Sequence, residues 1–163
     1  MQETADELAA LQALLDESRA RSTAHLRSII NDDHAVGATQ LVARLTGMRL
    51  LSVATVTKTA QPRISALDGH FLHARWVFST TGTSAKARHL RARPAVSVAH
   101  IESEEFAVFA HGQVEFLEPQ TADFDTVLGH LSEHYGSSPL SWGDDIVLCR
   151  VQPTWMVGYA YAL

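Results

Sequence analysis

Hydrophobic spacing divides the chain into a helical first part and a β-rich remainder. Thr4 and Glu7 form the T-x-x-E pattern of a capping box, and the next leucines recur at helical spacing (Leu8, Leu11, Leu14 and Leu15). Two shorter helical segments are predicted at 23–30 and 39–45, and Gly47 is a suitable stop for the second. We therefore expect residues 1–47 to form an N-terminal helical extension packed on the β-rich part of the chain.

From Arg49 onward the pattern becomes that of strands. Strands are predicted at 50–57, 63–72, 75–80, 95–101, 106–116, 145–152 and 156–161. Three breaks are predicted: a bulge at Asp68-Gly69-His70, a turn at His73-Ala74 and a strand end at Pro153. The chain is thus mainly β with flanking helices, and the short connections favour a closed, six- to seven-stranded antiparallel barrel over residues 48–163.

One amphipathic helix interrupts the strands near the C-terminus. Thr121 is placed to begin it and Gly136 to end it, and its apolar positions share one face (Phe124, Val127, Leu128, Leu131 and Tyr135). Trp76 and Phe78 alternate toward the expected core, where we predict that they serve packing.

Composition narrows the class of protein. The 163 residues fit a single domain, and the net charge of −5 argues against nucleic acid or an anionic membrane as the main partner. The only cysteine, Cys149, lies in an apolar run and is expected in the core, so no internal disulfide is possible. The acidic start does not resemble a signal peptide, and we expect a cytoplasmic protein.

A loop rich in hydroxyl groups precedes a basic helix. Ser79, Thr80 and Ser84 lie where a helix is predicted to begin, and Lys86 falls in its first turn. A helix N-terminus carries partial positive charge and unpaired N–H groups, so this end suits a phosphate. Arg63 would reach the same place if its strand lies beside 76–80. The alternative is a solvated basic face, since Lys86 is followed closely by three arginines (Arg88, Arg91 and Arg93).

Histidines provide two further hypotheses. His130 and His134, with Glu133 between them, match the H-x-x-E-H zinc pattern, although a solvated polar face explains the same residues. His70, His100 and His111 are candidate proton donors, although a histidine in such a position is more often structural. Trp155 is expected either to close a partner subunit's pocket or to fill the barrel end.

Residues 49–116 resemble the pyridoxamine 5′-phosphate oxidase-like family, the flavin-binding split barrel. The segments that carry the resemblance are 51–56, 61–65, 78–80, 84–90, 93–98 and His111-Gly112, and the F-[ST]-T-x(3)-S-x-K-x-R pattern from Phe78 to Arg88 is the most specific. The resemblance implies a homodimer with FMN, or coenzyme F-420, at the subunit interface. It places the flavin ring beside Arg63, Ile64, Ser65 and Ala66, and the phosphate on Thr80 and Lys86, with Ser79 and Ser84 beside them.

The chain departs from true vitamin B6 oxidases at three places. Ala85 stands where those enzymes carry a second basic residue, Asp68 stands where they carry a lysine, and their C-terminal signature is not recognisable in 152–156. The resemblance therefore implies a flavin- or deazaflavin-dependent oxidoreductase with another substrate, in which the cofactor carries the hydride. A non-catalytic cofactor- or haem-binding protein is the alternative, and a zinc hydrolase a more distant one.

Overall fold

The computed structural model describes residues 2–161, in which six antiparallel strands close into one barrel. The strands are β1 (Met48–Val56), β2 (Pro62–Leu72), β3 (Arg75–Thr81), β4 (Ala95–Ser103), β5 (Phe106–Phe116) and β6 (Ile146–Ala160). The helices are α1 (Ala5–Arg21), α2 (Ala24–Ile29), α3 (Ala38–Arg44), α4 (Ala85–Ala92) and α5 (Ala122–Tyr135), followed by a 3-10 turn (Pro139–Trp142). The strand order is β1-β2-β3-β6-β5-β4, with β4 closing on β1. The predicted β-barrel with an N-terminal helical part is confirmed.

Local sequence signals set several of these boundaries. The capping box of α1 forms in both directions, since Thr4 Oγ1 accepts from the Glu7 N–H at 3.2 Å and Glu7 Oε2 accepts from the Thr4 N–H at 2.8 Å. Helix α5 begins after Thr121 and ends at Gly136, whose φ of 68° suits a residue without a side chain. His73 and Ala74 both take positive φ in the tight turn between β2 and β3.

The predicted bulge at Asp68-Gly69-His70 is wrong. Strand β2 pairs with β1 without a register shift from His70–Met48 to Pro62–Val56. Gly69 is needed for another reason, because a Cβ there would lie 2.2 Å from Leu51 Cδ1. The glycine makes room for a core leucine and does not interrupt the strand.

The predicted strand end at Pro153 is also wrong. Strand β6 continues through this residue to Ala160, and the chain therefore has six strands within residues 2–161. Its register against β5 shifts between the Gly112–Pro153 and His111–Trp155 pairs, which leaves Thr154 without a partner on β5. This bulge accommodates a proline that has no N–H to donate.

The barrel interior is the main core. It holds Trp76 and Phe78, as predicted, together with Phe106 and Met156, all of them buried. Cys149 is buried as well, and burial raises the pKa of its thiol to about 12. A second apolar cluster lies outside the barrel, where α5 covers β3 and β6 (Leu72, Val77, Leu117, Phe124, Val127, Leu131 and Leu148). No helix in the described part of the chain is both long and apolar enough to span a bilayer.

Candidate functional site

The N-terminus of α4 offers donors for an anion. Ser84 caps the helix, with its Oγ accepting from the Ala87 N–H at 3.3 Å, and Thr80 Oγ1 lies 3.4 Å from the same Oγ. Among residues 2–161, the Ala85 and Lys86 N–H groups have no hydrogen-bond acceptor. Two predicted hydroxyls and two free N–H groups therefore meet where β3 passes into α4.

Lys86 is the cation at this end that remains free to bind a ligand. Arg88 donates to the Thr83 carbonyl at 2.6 Å, Arg91 donates to the Gly82 carbonyl, and Arg93 donates to the Lys58 carbonyl at 3.2 Å. The half-buried Lys86 side chain makes no hydrogen bond or ion pair within the described part of the chain. Arg88 and Arg91 thus brace the loop before α4, Arg93 is bonded to the turn after β1, and Lys86 has no partner among the described residues.

Ser79 and the loop residue Gly82 have structural constraints of their own. Ser79 pairs with Leu148, and because strand side chains alternate it points away from the side that Thr80 shares with Ser84. The Gly82 N–H donates to the Asp145 carbonyl at 2.6 Å, and a Cβ on Gly82 would lie 2.6 Å from the Asp145 carboxylate. The loop is therefore anchored tightly to the start of β6.

Strand pairing does not meet the condition under which Arg63 would reach Thr80, since β2 lies beside β3 only near the turn that joins them. Pairing between β2 and β3 ends at His70–Val77, beyond which β3 pairs with β6 and β2 pairs with β1. Arg63 is exposed and donates to Gln61 Oε1 and to the Pro62 carbonyl, each at 2.9 Å. The two strands diverge, so strand pairing does not bring the guanidinium to Thr80.

The first half of β2 is nevertheless open to a ligand. Arg63, Ile64, Ser65 and Ala66 pair only with β1, and Ile64 is 76% exposed. Within the described residues, the edge of β2 that faces away from β1 has no strand partner along this half. Backbone donors and acceptors are therefore available beside the side chains predicted to flank a ring.

A half-buried hydrogen bond connects the two halves of the candidate site. Thr55 lies directly opposite Arg63 in β1 and is buried, and its Oγ1 is 3.0 Å from Nδ1 of His89 on α4. Helix α4 and the open half of β2 are thus both attached to β1. The sequence contains no pattern that would have paired Thr55 with His89.

An outer groove of about 470 Å³ adjoins the start of β2, and its lining includes Ala54, Val56, Pro62, Ser97, His111 and Thr154. His111 Nδ1 is 2.9 Å from Ser97 Oγ, and its ring stacks on Trp155 with centroids 4.6 Å apart. Trp155 also donates to the Ser18 carbonyl of α1 at 3.2 Å, so it lies on the outer surface and does not fill the barrel end.

The other two candidate proton donors are buried. His100 is hydrogen-bonded to the Leu50 carbonyl inside the sheet, and His70 lies beneath α5. Of the three histidines singled out from the sequence, His111 is the one that borders an open groove.

The H-x-x-E-H residues do not form a metal centre. His130 Nε2 is 3.0 Å from His70 Nδ1, so the imidazole is already hydrogen-bonded to another. Among the described residues, no group of three or more histidine, cysteine or acidic side chains is arranged to hold a metal ion. The zinc-hydrolase hypothesis has no supporting geometry.

Known structures share this fold. A conserved hypothetical protein from Mycobacterium tuberculosis is 17% identical, with a TM-score of 0.67 and coverage of 80% of this chain and 88% of its own. HutZ, the haem storage protein from Vibrio cholerae, is 21% identical, with a TM-score of 0.61 and coverage of 68% and 86%. An F-420 reductase is 23% identical, with a TM-score of 0.55 and coverage of 70% and 93%. At these identities the likeness shows the fold alone.

The sequence itself assigns the family. No curated protein matches the chain. The sequence profile described as pyridoxamine 5′-phosphate oxidase matches residues 38–156, a stretch that runs from α3 into β6 and contains both halves of the candidate site. The chain belongs to the pyridoxamine 5′-phosphate oxidase family.

Proposed function

We propose that this protein is a homodimeric oxidoreductase that binds FMN, or in its place coenzyme F-420, and passes a hydride to or from a small substrate. The observation that carries the proposal is the uncommitted Lys86 beside the Thr80 and Ser84 hydroxyls at the start of α4. A phosphate monoester there would receive charge from Lys86 and hydrogen bonds from the free N–H groups of Ala85 and Lys86.

The open half of β2 suits the ring of such a cofactor. Arg63 to Ala66 present an unpaired backbone edge, and flat heterocycles with carbonyl and N–H groups hydrogen-bond to such edges. The cofactor supplies the hydride chemistry when it is bound. The chain binds the phosphate and orients the ring, and His111 is the candidate for holding a proton at the groove. Ser79 faces away from the Thr80 side, so we assign it a supporting role.

A homodimer is supported by an apolar outer face of the barrel. Leu50, Ile64 and Ile101 are 61%, 76% and 59% exposed. The strand register places all three side chains on the same face of the sheet. Leu50 and Ala54 lie on one face of β1, and Ala54 opposes Ile64 of β2. Ser52, on the same face of β1, opposes Ala99 of β4, which lies two residues before Ile101. Large exposed apolar side chains that share one face of a sheet are typical of an interaction surface. We propose that a second copy covers it.

Vitamin B6 oxidation is not proposed. Asp68 and Ala85 replace basic residues of the authentic enzymes, and Asp68 is exposed and accepts a hydrogen bond from Tyr135. An acidic side chain at that position disfavours an anionic pyridoxamine phosphate. A cytoplasmic location stays our prediction from the lone Cys149.

Absorbance of the purified protein, followed by titration, tests the proposal. We expect flavin bands in the preparation, or saturable binding when FMN or F-420 is added to the colourless protein. Hydride transfer is then tested by reducing the bound cofactor with a nicotinamide donor under anaerobic conditions. A Soret band after haemin addition, together with no binding of either flavin, would replace the proposal with the haem-binding alternative.

A further inference from the structure

The C-terminal end of α5 meets β2 through imidazole and phenol groups. His70 is 1% exposed beneath the helix, with its Nδ1 3.0 Å from His130 Nε2 and its Nε2 3.2 Å from the Tyr135 hydroxyl. The His134 ring stands edge-on to His70, with centroids 4.7 Å apart. His70, His130, His134 and Tyr135 together form the histidine cluster.

Hydrogen-bond directions in the histidine cluster are fixed by its last member. Tyr135 donates its single hydroxyl hydrogen to Asp68 Oδ2 at 3.4 Å, so its oxygen accepts from His70 Nε2–H. His70 Nδ1 then carries no proton and accepts from His130 Nε2–H. His130 Nδ1 accepts in turn from the Gln2 side-chain amide at 3.5 Å. Every donor that His70, His130 and Tyr135 contribute to this series of bonds meets an acceptor when the imidazoles are neutral.

Acid disturbs this arrangement at His70. A proton on His70 Nδ1 would face the Nε2–H of His130, so the hydrogen bond would be kept only if His130 moved its own proton to Nδ1. Protonation of His130 Nδ1 is easier to accommodate, because the exposed Gln2 amide can rotate to offer its oxygen. A proton on His70 therefore requires a change of tautomer at His130 and a turn of the Gln2 amide, and it places a charge on a side chain that is 1% exposed.

Burial and the neighbouring imidazoles favour the neutral form of His70. Burial first, and then the neighbouring His130 and His134, lower the pKa of His70 to about 4. Burial, His134 and His73 also lower the pKa of His130, against an opposing effect of Glu133. The one carboxylate on the His70 side among the described residues, Asp68, is separated from it by the Tyr135 hydroxyl. Apolar Val77 of β3 lies opposite His70 in the sheet.

We propose that the histidine cluster is an acid-sensitive latch, which holds the last turn of α5 and the residues that follow it (132–138) on β2 at neutral pH and releases them as the pH falls below 6. The beginning of α5 stays in place, because Phe124 and Val127 are buried in the second apolar cluster. Release would uncover His70 and free Asp68, which lies two residues beyond the open half of β2. The latch does not depend on the proposed cofactor.

The direction and the size of the pH effect on the latch follow from the difference between the pKa values of His70 in the latched and released forms. The pKa of His70 is about 4 when latched and returns to the ordinary histidine value of 6.5 when released, so latching is fully stable above pH 6.5 and is weakened as the pH falls toward 4. Between pH 7.5 and 5.0 the ratio of released to latched molecules rises ~30-fold. A rise of this size in the released form can be detected by hydrogen–deuterium exchange.

Hydrogen–deuterium exchange of the full chain tests the latch. After correction for intrinsic chemical exchange, we expect residues 132–138 to exchange ~30-fold faster at pH 5.0 than at pH 7.5, and residues 122–128 to keep their rate. His70→Gln, which cannot be charged, should abolish most of this difference. His25→Gln removes an exposed histidine of α2 and should behave like the wild type.

Two results would overturn the latch. One is equal corrected exchange of 132–138 at both pH values; the other is an undiminished difference in His70→Gln. Should that variant not fold, the imidazole Cε1–H of His70 is followed by NMR in the wild-type protein. Titration near 4 supports the latch, and titration near 6.5 contradicts it.

Discussion

Replacing Lys86 with alanine is the sharpest test of the candidate site. The side chain makes no hydrogen bond or ion pair within residues 2–161, so its loss leaves no partner unsatisfied in the protein itself. Alanine is also a strong helix former, and removing a positive charge from the first turn of a helix does not destabilise it. The folded chain should therefore keep its stability, and any lost affinity reports on the ligand.

The expected loss of affinity in Lys86→Ala follows from the type of contact that the lysine would make with the phosphate. A charge-assisted hydrogen bond to a phosphate is worth about 1.5–3 kcal/mol, which corresponds to an affinity loss of about 10- to 150-fold. The hydroxyls of Thr80 and Ser84 and the free N–H groups remain in the variant, so binding should weaken without disappearing. Ser84→Ala would be a poorer test, because it also removes the cap of α4.

The assay is titration with FMN and with F-420, followed by flavin fluorescence at two salt concentrations. The matched control is Lys58→Ala, which removes the same charge at the opposite end of α4, where the Lys58 carbonyl accepts from Arg93. We expect Lys58→Ala to bind within a factor of about two of the wild type, since an exposed charge at a distance is screened by salt. Equal affinities of Lys86→Ala and wild type would show that the phosphate does not bind at α4.

Three further outcomes are expected. Ile64→Asp should convert a dimer to a monomer in size-exclusion chromatography with light scattering, whereas Ile29→Asp, at an exposed site on α2, should not; an unchanged mass for Ile64→Asp would refute the proposed interface. Gly112→Ala should destabilise the fold by about 1–3 kcal/mol, because its Cβ would lie 2.1 Å from the Gln152 carbonyl. Gly129→Ala, in an open helical position, should stabilise the fold by about 0.5–1 kcal/mol. Thermal melting that ranks the two variants the other way would contradict the packing. Cys149, fully buried and with its thiol pKa raised to about 12, should react with a thiol reagent only after denaturation, and rapid labelling of the native protein would show that β6 opens.

Signals that act between near neighbours in sequence predicted the elements well. The Thr4–Glu7 capping box, the apolar stripe of α5 and the His73-Ala74 turn each depend on a few adjacent residues, and all three are present in the structure. The two hydroxyl residues and the lysine at the start of α4 also lie within one short stretch of the chain. The sequence could therefore place Thr80, Ser84 and Lys86 together.

The errors concern contacts between distant parts of the chain. The sequence predicts a strand break at Gly69 because it does not show that Leu51 fills the space beside this glycine. The predicted position of Arg63 near Thr80 depends on neighbouring strands pairing along their full length, which β2 and β3 do not do. The His70–His130 contact joins residues 60 positions apart, and the helical pattern of α5 gives no indication of what its polar end will meet.

Thr55 explains how a site can lie on strands that diverge. Splaying of β2 from β3 opens an edge for a ligand, but it also removes the pairing that would fix β2 relative to α4. Thr55 replaces that connection: it pairs with Arg63 along the backbone, and its buried hydroxyl is hydrogen-bonded to His89 of α4. Thr55 is 1% exposed, and its hydrogen bond to His89 gives a partner to a polar group on the buried face of β1. The spacing between the proposed phosphate and ring positions is therefore set by β1, the strand to which both are attached.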